Sequence, residues 1–294
     1  MRKNDTPFNI LYSFAYYSKT FAAKLFNAAE QGLINVMIDS GAFSDFNSKS
    51  NKINIDNYCD FLKEAEPYIE KAVMLDVIGN AEASRRNYEA MVARGTKPMF
   101  TVTAFDKNWD YIKQTLDICE NICVAGGATT KGPWMTKRFQ DVYYNTGERA
   151  RIHGLAYVVD TMFTLPIVSV DSSSQNSALR YGNFIIWDDN THHKRGLPYI
   201  DYARGKRRLN EEEIAFLERI RVTPEEFFGD TARTGGRSVI AYCSFMASIF
   251  YQIFCKAQGL DYFFAIASEQ ELDSFLFLYR NFSYVTYKDF ANLK

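Results

Sequence analysis

Short apolar runs alternate with stretches of helical periodicity through the first two thirds of the chain. The apolar runs lie near residues 8–12, 34–39, 72–77, 98–103, 122–125, 151–156, 167–171 and 183–187. Runs this short, bounded by polar or Gly/Pro-containing text, read as strands. Between them, Tyr58, Phe61, Leu62, Ala65, Tyr68 and Ile69 fall on one face of a helix. A further helix is predicted to be capped by Asn80 and ended by Gly95, ahead of Pro98. Trp109, Ile112, Leu116 and Cys119 make another apolar stripe. Strands alternating with helices predict a parallel sheet, and eight of them predict an α/β fold of the closed (β/α)8 TIM-barrel type. A doubly wound open sheet is the alternative.

The pattern changes after Trp187. Residues 192–208 read as irregular and basic, and from Asn210 onward the text is helical. Asn210-Glu211-Glu212-Glu213 starts one helix. Thr223-Pro224-Glu225-Glu226 and Ser268-Glu269-Gln270-Glu271 are capping boxes, the first with proline at the leading helical position. The expected organisation is a catalytic barrel over residues 1–190, with a basic loop and helical C-terminal region over 191–294 packed on it. The longest apolar block runs from Val239 to Phe254 and includes Ser244, Ser248 and Gln252. It falls short of the roughly 20 residues of a membrane span and reads as a buried helix.

Composition narrows the class. The 294 residues are 47% hydrophobic and 16% aromatic, enough for a sizeable core, and the net charge of −1 names no polyanion partner. The opening Met1-Arg2-Lys3-Asn4-Asp5 does not read as a secretory signal, and five cysteines are an odd count. Together these predict reduced thiols in a cytoplasm. Cys119 and Cys123 can share a helix face, but the three histidines are not spaced to complete a zinc site with them, so no metal is expected.

Three apolar runs end on an aspartate: Val36-Met37-Ile38-Asp39, Val73-Met74-Leu75-Asp76 and Ile167-Val168-Ser169-Val170-Asp171. On parallel strands all three carboxylates arrive at one end of the sheet, where α/β folds carry their chemistry. After Asp39, Ser40 leads to Gly41 and Ala42, which let a flat ligand approach the backbone, and Phe43 can stack on that ligand. The same residue types also make an ordinary turn. Asp76 can accept from the N–H edge of a purine-like base, or it can cap a helix or pair with Arg85 or Arg86. Asp171, followed by Ser172, Ser173 and Ser174 as donors, suits attack on an anomeric carbon, or an N-cap. Gly126-Gly127-Ala128 ends a strand, and its backbone N–H groups can hold a phosphate or a carbonyl oxygen; a tight turn is the alternative. His153 reads as a core or supporting histidine rather than a ligand. Lys194, Arg195, Arg204, Lys206, Arg207 and Arg208, interleaved with Tyr199 and Tyr202, suit a nucleic-acid backbone, with part of the run free to pair internally with Glu211-Glu212-Glu213.

Taken in order, these motifs resemble the tRNA-guanine transglycosylase superfamily, over about residues 34–174. Asp39-Ser40-Gly41-Ala42-Phe43 is similar to the family's Asp-Ser-Gly-Gly-Phe/Tyr, Gly126-Gly127-Ala128 to its Gly-Gly-Leu-Ala loop, and Ile152-His153-Gly154-Leu155-Ala156 to its His-x-Leu strand. Asp76 and Asp171 match its base-reading and nucleophilic aspartates. Ala42 replaces the usual second glycine. The family's zinc cysteines are missing, and no glutamine stands in Met99-Phe100-Thr101-Val102-Thr103. The chain looks most like the compact, phage-type branch that inserts 7-deazaguanines into DNA.

The resemblance implies a pentosyltransferase that exchanges guanine for a preQ0-like base, with Asp171 as nucleophile and Asp39 as general acid/base. Ser40, Phe43, Asp76, Gly126, Gly127 and Ala128 would bind the base. It implies no metal or other cofactor, DNA and the free base as partners, tRNA as the alternative polymer, no membrane, and a cytoplasmic location, the host's if phage-encoded. Members of the family often dimerise. A glycosidase or phosphodiesterase on an unrelated barrel, and a non-catalytic nucleic-acid-binding subunit, are the readings from other classes.

Overall fold

A run of apolar residues becomes a strand only where its backbone finds a partner, and most of the predicted runs do. The computed structural model describes residues 6–47, 53–103, 106–125, 132–174, 180–229 and 238–293. Seven predicted runs appear as β1 (Phe8–Ser13), β2 (Ile34–Asp39), β3 (Lys71–Ala72), β4 (Phe100–Val102), β5 (Asn121–Ala125), β6 (Arg151–Leu155) and β7 (Ile167–Ser172). With a later strand they form one eight-stranded, all-parallel sheet in the order β3-β2-β1-β10-β7-β6-β5-β4, where β10 is Asp261–Ile266. A parallel bridge between Val73 and Met99 links the residues beside the two end strands. The Met99 N–H donates to the Ala72 carbonyl at 2.7 Å and the Met74 N–H to the Met99 carbonyl at 3.1 Å. Leu11, Met37, Val73, Met99, Cys123 and Phe263, each from a different strand or its extension, form a buried apolar cluster.

Two expectations are corrected. The eighth strand of the sheet is not residues 183–187. That run is β8 (Asn183–Asp188), which pairs antiparallel with β9 (His193–Pro198) in a separate two-stranded sheet. It imitates a parallel strand because its interior residues are all buried, packed against the Val239–Ala257 helix. The sheet's eighth strand is the aromatic run Asp261–Ile266, hidden in helical text. The expected strand over 72–77 is also shorter. It stops before Asp76, because the backbone there bonds elsewhere: Asp76 N–H to the Met74 carbonyl, Val77 N–H to Ser84 Oγ, and Asn87 Nδ2 to the Leu75 carbonyl.

Helix ends follow local chemistry. Asn80 caps Ala81–Ala93 by accepting from the Ala83 N–H, and Gly95 follows with φ +87°. Asn210 with Glu213, and Thr223 with Glu226, close reciprocal capping boxes.

The chain divides into two compact units. One comprises Asn9–Ser172 and Gln258–Ala267 and holds the parallel sheet; the other comprises Met1–Phe8, Ser173–Ala257 and Ser268–Lys294. In the second unit the Val239–Ala257 helix carries the core. Tyr242 Oη donates to the carbonyls of Ile220 and Val285, and the Ile185 N–H donates to Ser244 Oγ. This helix has the length and mean hydropathy (1.4) of a membrane span, but 78% of its apolar window is buried in the protein, as suits a core helix.

Candidate active site

All strands of the sheet run the same way, so the carboxyl ends of β2, β3 and β7 lie at one end of it, and Asp39, Asp76 and Asp171 with them. At the end of β2, Asp39 Oδ2 accepts from Ser13 Oγ at 2.9 Å and from the Gly41 N–H at 3.0 Å. These bonds favour the carboxylate, yet burial outweighs them, and the Asp171 charge adds to burial. The Asp39 pKa is raised to about 6. Gly41 has φ +82°, and a Cβ there would lie 2.6 Å from the Ala15 Cβ. Packing against Ala15 and the left-handed backbone are enough to require the glycine.

Asp76 is half-buried just beyond β3. Its pKa is also raised to about 6, first by burial and then by the charge of Asp39. The partners that a structural role would use are engaged elsewhere. Arg85 pairs with Asp106, Arg86 pairs with Glu82 at 2.7 Å, and Asn80 caps the helix.

Asp171 is only 8% exposed. Its Oδ1 accepts from the Ala156 N–H at 2.8 Å and lies 3.1 Å from His153 Nε2. Its Oδ2 receives no hydrogen bond from the described residues. His153 is fully buried, which pushes its pKa down against the opposing pull of the Asp171 carboxylate and so favours the neutral imidazole. Its Nδ1 sits 2.8 Å from Ser169 Oγ, which in turn receives Lys71 Nζ at 3.4 Å. With one ring proton available, the arrangement assigns it to Nε2, facing Asp171. Ala156 takes a left-handed backbone (φ +51°) in presenting its N–H, a cost of order 1 kcal/mol or more for a non-glycine residue. Gly154 precedes it in a tight place, where a Cβ would sit 3.1 Å from the Tyr157 Cβ and 3.3 Å from Phe139.

No protein-family profile matches this chain, and no curated protein is significantly similar to it in sequence. The site therefore rests on its own geometry.

That geometry brings together three of the predicted residues. The Asp39 pKa responds to Asp171 and that of Asp76 responds to Asp39, so the three carboxylates share one electrostatic environment. Ser40 is fully buried beside them, and its Oγ accepts from the Ala42 N–H at 3.4 Å. Phe43 lies on the short Ala42–Asn47 helix with 67% of its surface exposed, a ring presented at the rim. Gly126, Gly127 and Ala128 lie outside the described residues.

The basic run is split by its partners. Arg195 pairs with Glu212 at 2.7 Å and Arg207 with the fully buried Glu213 at 2.6 Å. Lys194 lies half-buried over the Tyr251 ring, with Nζ donating to Ser174 Oγ at 3.3 Å. Arg204, Lys206 and Arg208 are exposed.

Sequence reasoning missed Ser13, Ser169, Lys71 and the Ala156 N–H. The donors on Asp171 are His153 and Ala156, not the serines that follow it. Ser169 was legible in principle: residues two apart on a strand share a face, and Ser169 stands directly opposite His153 in the β6–β7 register. Lys71 carries no such signal, because its side chain crosses from another strand.

Proposed function

We propose that this chain is a transglycosylase that exchanges guanine in DNA for a 7-deazaguanine base of the preQ0 type, working in a closed (β/α)8 barrel. The observation that carries the reading is the unlike pair of aspartates. Asp171 has one oxygen held by two donors and the other without a hydrogen bond from the described residues; Asp39 feels its charge and has a pKa raised to about 6. A nucleophile must be oriented and unprotonated, and a general acid must hold a proton near neutral pH. The bridge between Val73 and Met99 supports barrel closure.

In the first step Asp171 Oδ2 attacks C1′ of the target nucleotide. The C1′–N9 bond breaks, and its electron pair goes to guanine, which takes the Asp39 proton and leaves. The incoming deazaguanine gives its N9 proton to Asp39 and attacks C1′, and Asp171 departs as carboxylate. Two displacements retain configuration. Asp76 accepts from the N–H edge of the base, and Phe43 stacks on its face. The target base leaves its stack, at a cost of a few kcal/mol. Exposed Arg204, Lys206 and Arg208 suit backbone phosphates.

Nucleoside mass spectrometry tests this. DNA and tRNA are incubated separately with the protein and a 7-deazaguanine. The expected result is a deazaguanine nucleoside in DNA that is absent with Asp171→Ala. Incorporation in tRNA alone replaces the polymer. Incorporation in neither, with salt-dependent DNA binding unaffected by Asp171→Ala, replaces the enzyme with a binding subunit.

A further inference from the structure

Asp171 has to be aimed as well as placed, and the groups behind it form a chain with only one workable polarity. Lys71 Nζ can only donate, so Ser169 Oγ receives it at 3.4 Å. The Ser169 hydroxyl proton points to His153 Nδ1, 2.8 Å away, because that nitrogen can only accept when Nε2–H faces Asp171. His153 Nε2–H is left to donate to Asp171 Oδ1 at 3.1 Å. Reversing the middle bond would turn an imidazole lone pair toward a carboxylate. We propose that Lys71, Ser169 and His153 are positioning residues that lock the His153 tautomer and leave Asp171 Oδ2 as the attacking oxygen. The inference rests on the reading of Asp171 as nucleophile.

The surroundings of the chain fit this role. His153 is packed edge-on against Phe263, at 6.2 Å between centroids, and Lys71 Nζ lies 5.4 Å from the same ring. Both are therefore held by one aromatic side chain of β10. Lys71 also lines a cavity of about 340 Å³ at the amino ends of β3, β4 and β5, away from the three aspartates. Burial holds the Lys71 pKa below the ordinary lysine value; Glu70 and Asp261 work against that shift and Arg151 adds to it. The chain thus runs from that far end of the sheet to the nucleophile.

Imidazole ¹⁵N spectra test the inference without needing activity, and the chain has only three histidines to assign. Wild type is expected to show His153 as a single tautomer, protonated at Nε2. In Lys71→Met and Ser169→Ala the same ring is expected to become a tautomer mixture. The kcat for base exchange should fall roughly 10- to 100-fold, as for other partners that orient a reactive ligand, with KM for the polymer unchanged. Ser169→Thr keeps the hydroxyl and should restore the tautomer and most of kcat, whereas Lys63→Gln in the same cavity should change neither. Thermal unfolding checks that the variants fold, and Ser169→Ala carries the test if Lys71→Met does not. Wild-type tautomer and wild-type kcat in both variants would overturn the inference. If wild type itself exchanges no base and forms no adduct, the nucleophile reading fails, and the spectra alone decide the chain.

Discussion

Acids drawn wholly or partly out of solvent are treated in two opposite ways in this protein. In the second unit, Glu213 is fully buried but surrounded by donors: Arg207 at 2.6 Å, Tyr202 Oη at 3.1 Å and the Asn210 N–H at 3.0 Å. Within the sheet unit, Asp106 is likewise buried and paired with Arg85. At the carboxyl end of the sheet, Asp39 and Asp76 have no cation among their described partners, and both titrate near 6. The first arrangement anchors a helix start or a loop. The second leaves carboxyl pKa values raised, at a cost to stability once the groups ionise. A buried acid beside an arginine is poor evidence of chemistry; buried acids beside one another are better evidence.

The contrast can be broken by mutation. The largest effect is expected at Asp39, where Asp39→Asn should slow base exchange by roughly 10²–10⁴-fold, the usual worth of a general acid/base. The alkaline limb of the wild-type kcat/KM profile, expected near pH 6 from the Asp39 acid, should disappear with it. Next comes Glu213→Ala, which leaves a cap N–H, a tyrosine hydroxyl and an arginine without their acceptor. Denaturant unfolding should show a loss of about 2–3 kcal/mol, discounted because Arg207 is partly in solvent, with exchange chemistry unchanged.

A smaller effect is expected in the pH dependence of stability, and its sign is unusual. A carboxyl raised in the folded state contributes stability that is fully present below its unfolded pKa, near 3.8, and is lost as pH rises through about 6. The ligand-free protein should therefore become less stable between about pH 4 and pH 7, by at most about 3 kcal/mol per group and less than additively, since the two acids feel each other. Asp39→Asn should flatten this slope and raise stability at pH 8 by about 1–2 kcal/mol, so that the variant is both slower and more stable. The smallest effect on folding belongs to the exposed cations. Replacing Arg204, Lys206 and Arg208 by alanine should change stability by about 0.5 kcal/mol or less. The same replacement should lower the salt dependence of DNA binding by about one unit of slope for each phosphate no longer neutralised.

Much of the sheet and its acidic end was legible because the information is local. A run of apolar residues ending in Asp39 or Asp171 specifies a strand and its rim, and Asn80, Asn210 and Thr223 mark helix starts through side-chain bonds that span only three residues. The failures are non-local. Phe263 and its strand join the sheet between β7 and β1 after a long excursion, so periodicity near residue 170 cannot foretell them. The β8–β9 hairpin was hidden for a different reason. Its turn is built by Asp188, whose carboxylate accepts from the Asn190 and Thr191 N–H groups, but the basic text that follows reads as loop. At the site, Asp39 and Asp171 were found by their strand-end positions. Lys71 was not, because only the register of three separate strands brings it to Ser169.

The central claim, that Asp171 forms a bond to a sugar while Asp39 carries the proton, is tested most directly by trapping the intermediate. The protein is mixed with a guanine-containing DNA oligonucleotide, quenched in denaturant, and its mass and peptide map are measured. The account predicts a covalent protein–DNA adduct located at Asp171, released by added 7-deazaguanine and absent from Asp171→Asn. An adduct on another residue, or base exchange that persists undiminished in Asp171→Asn, would contradict it.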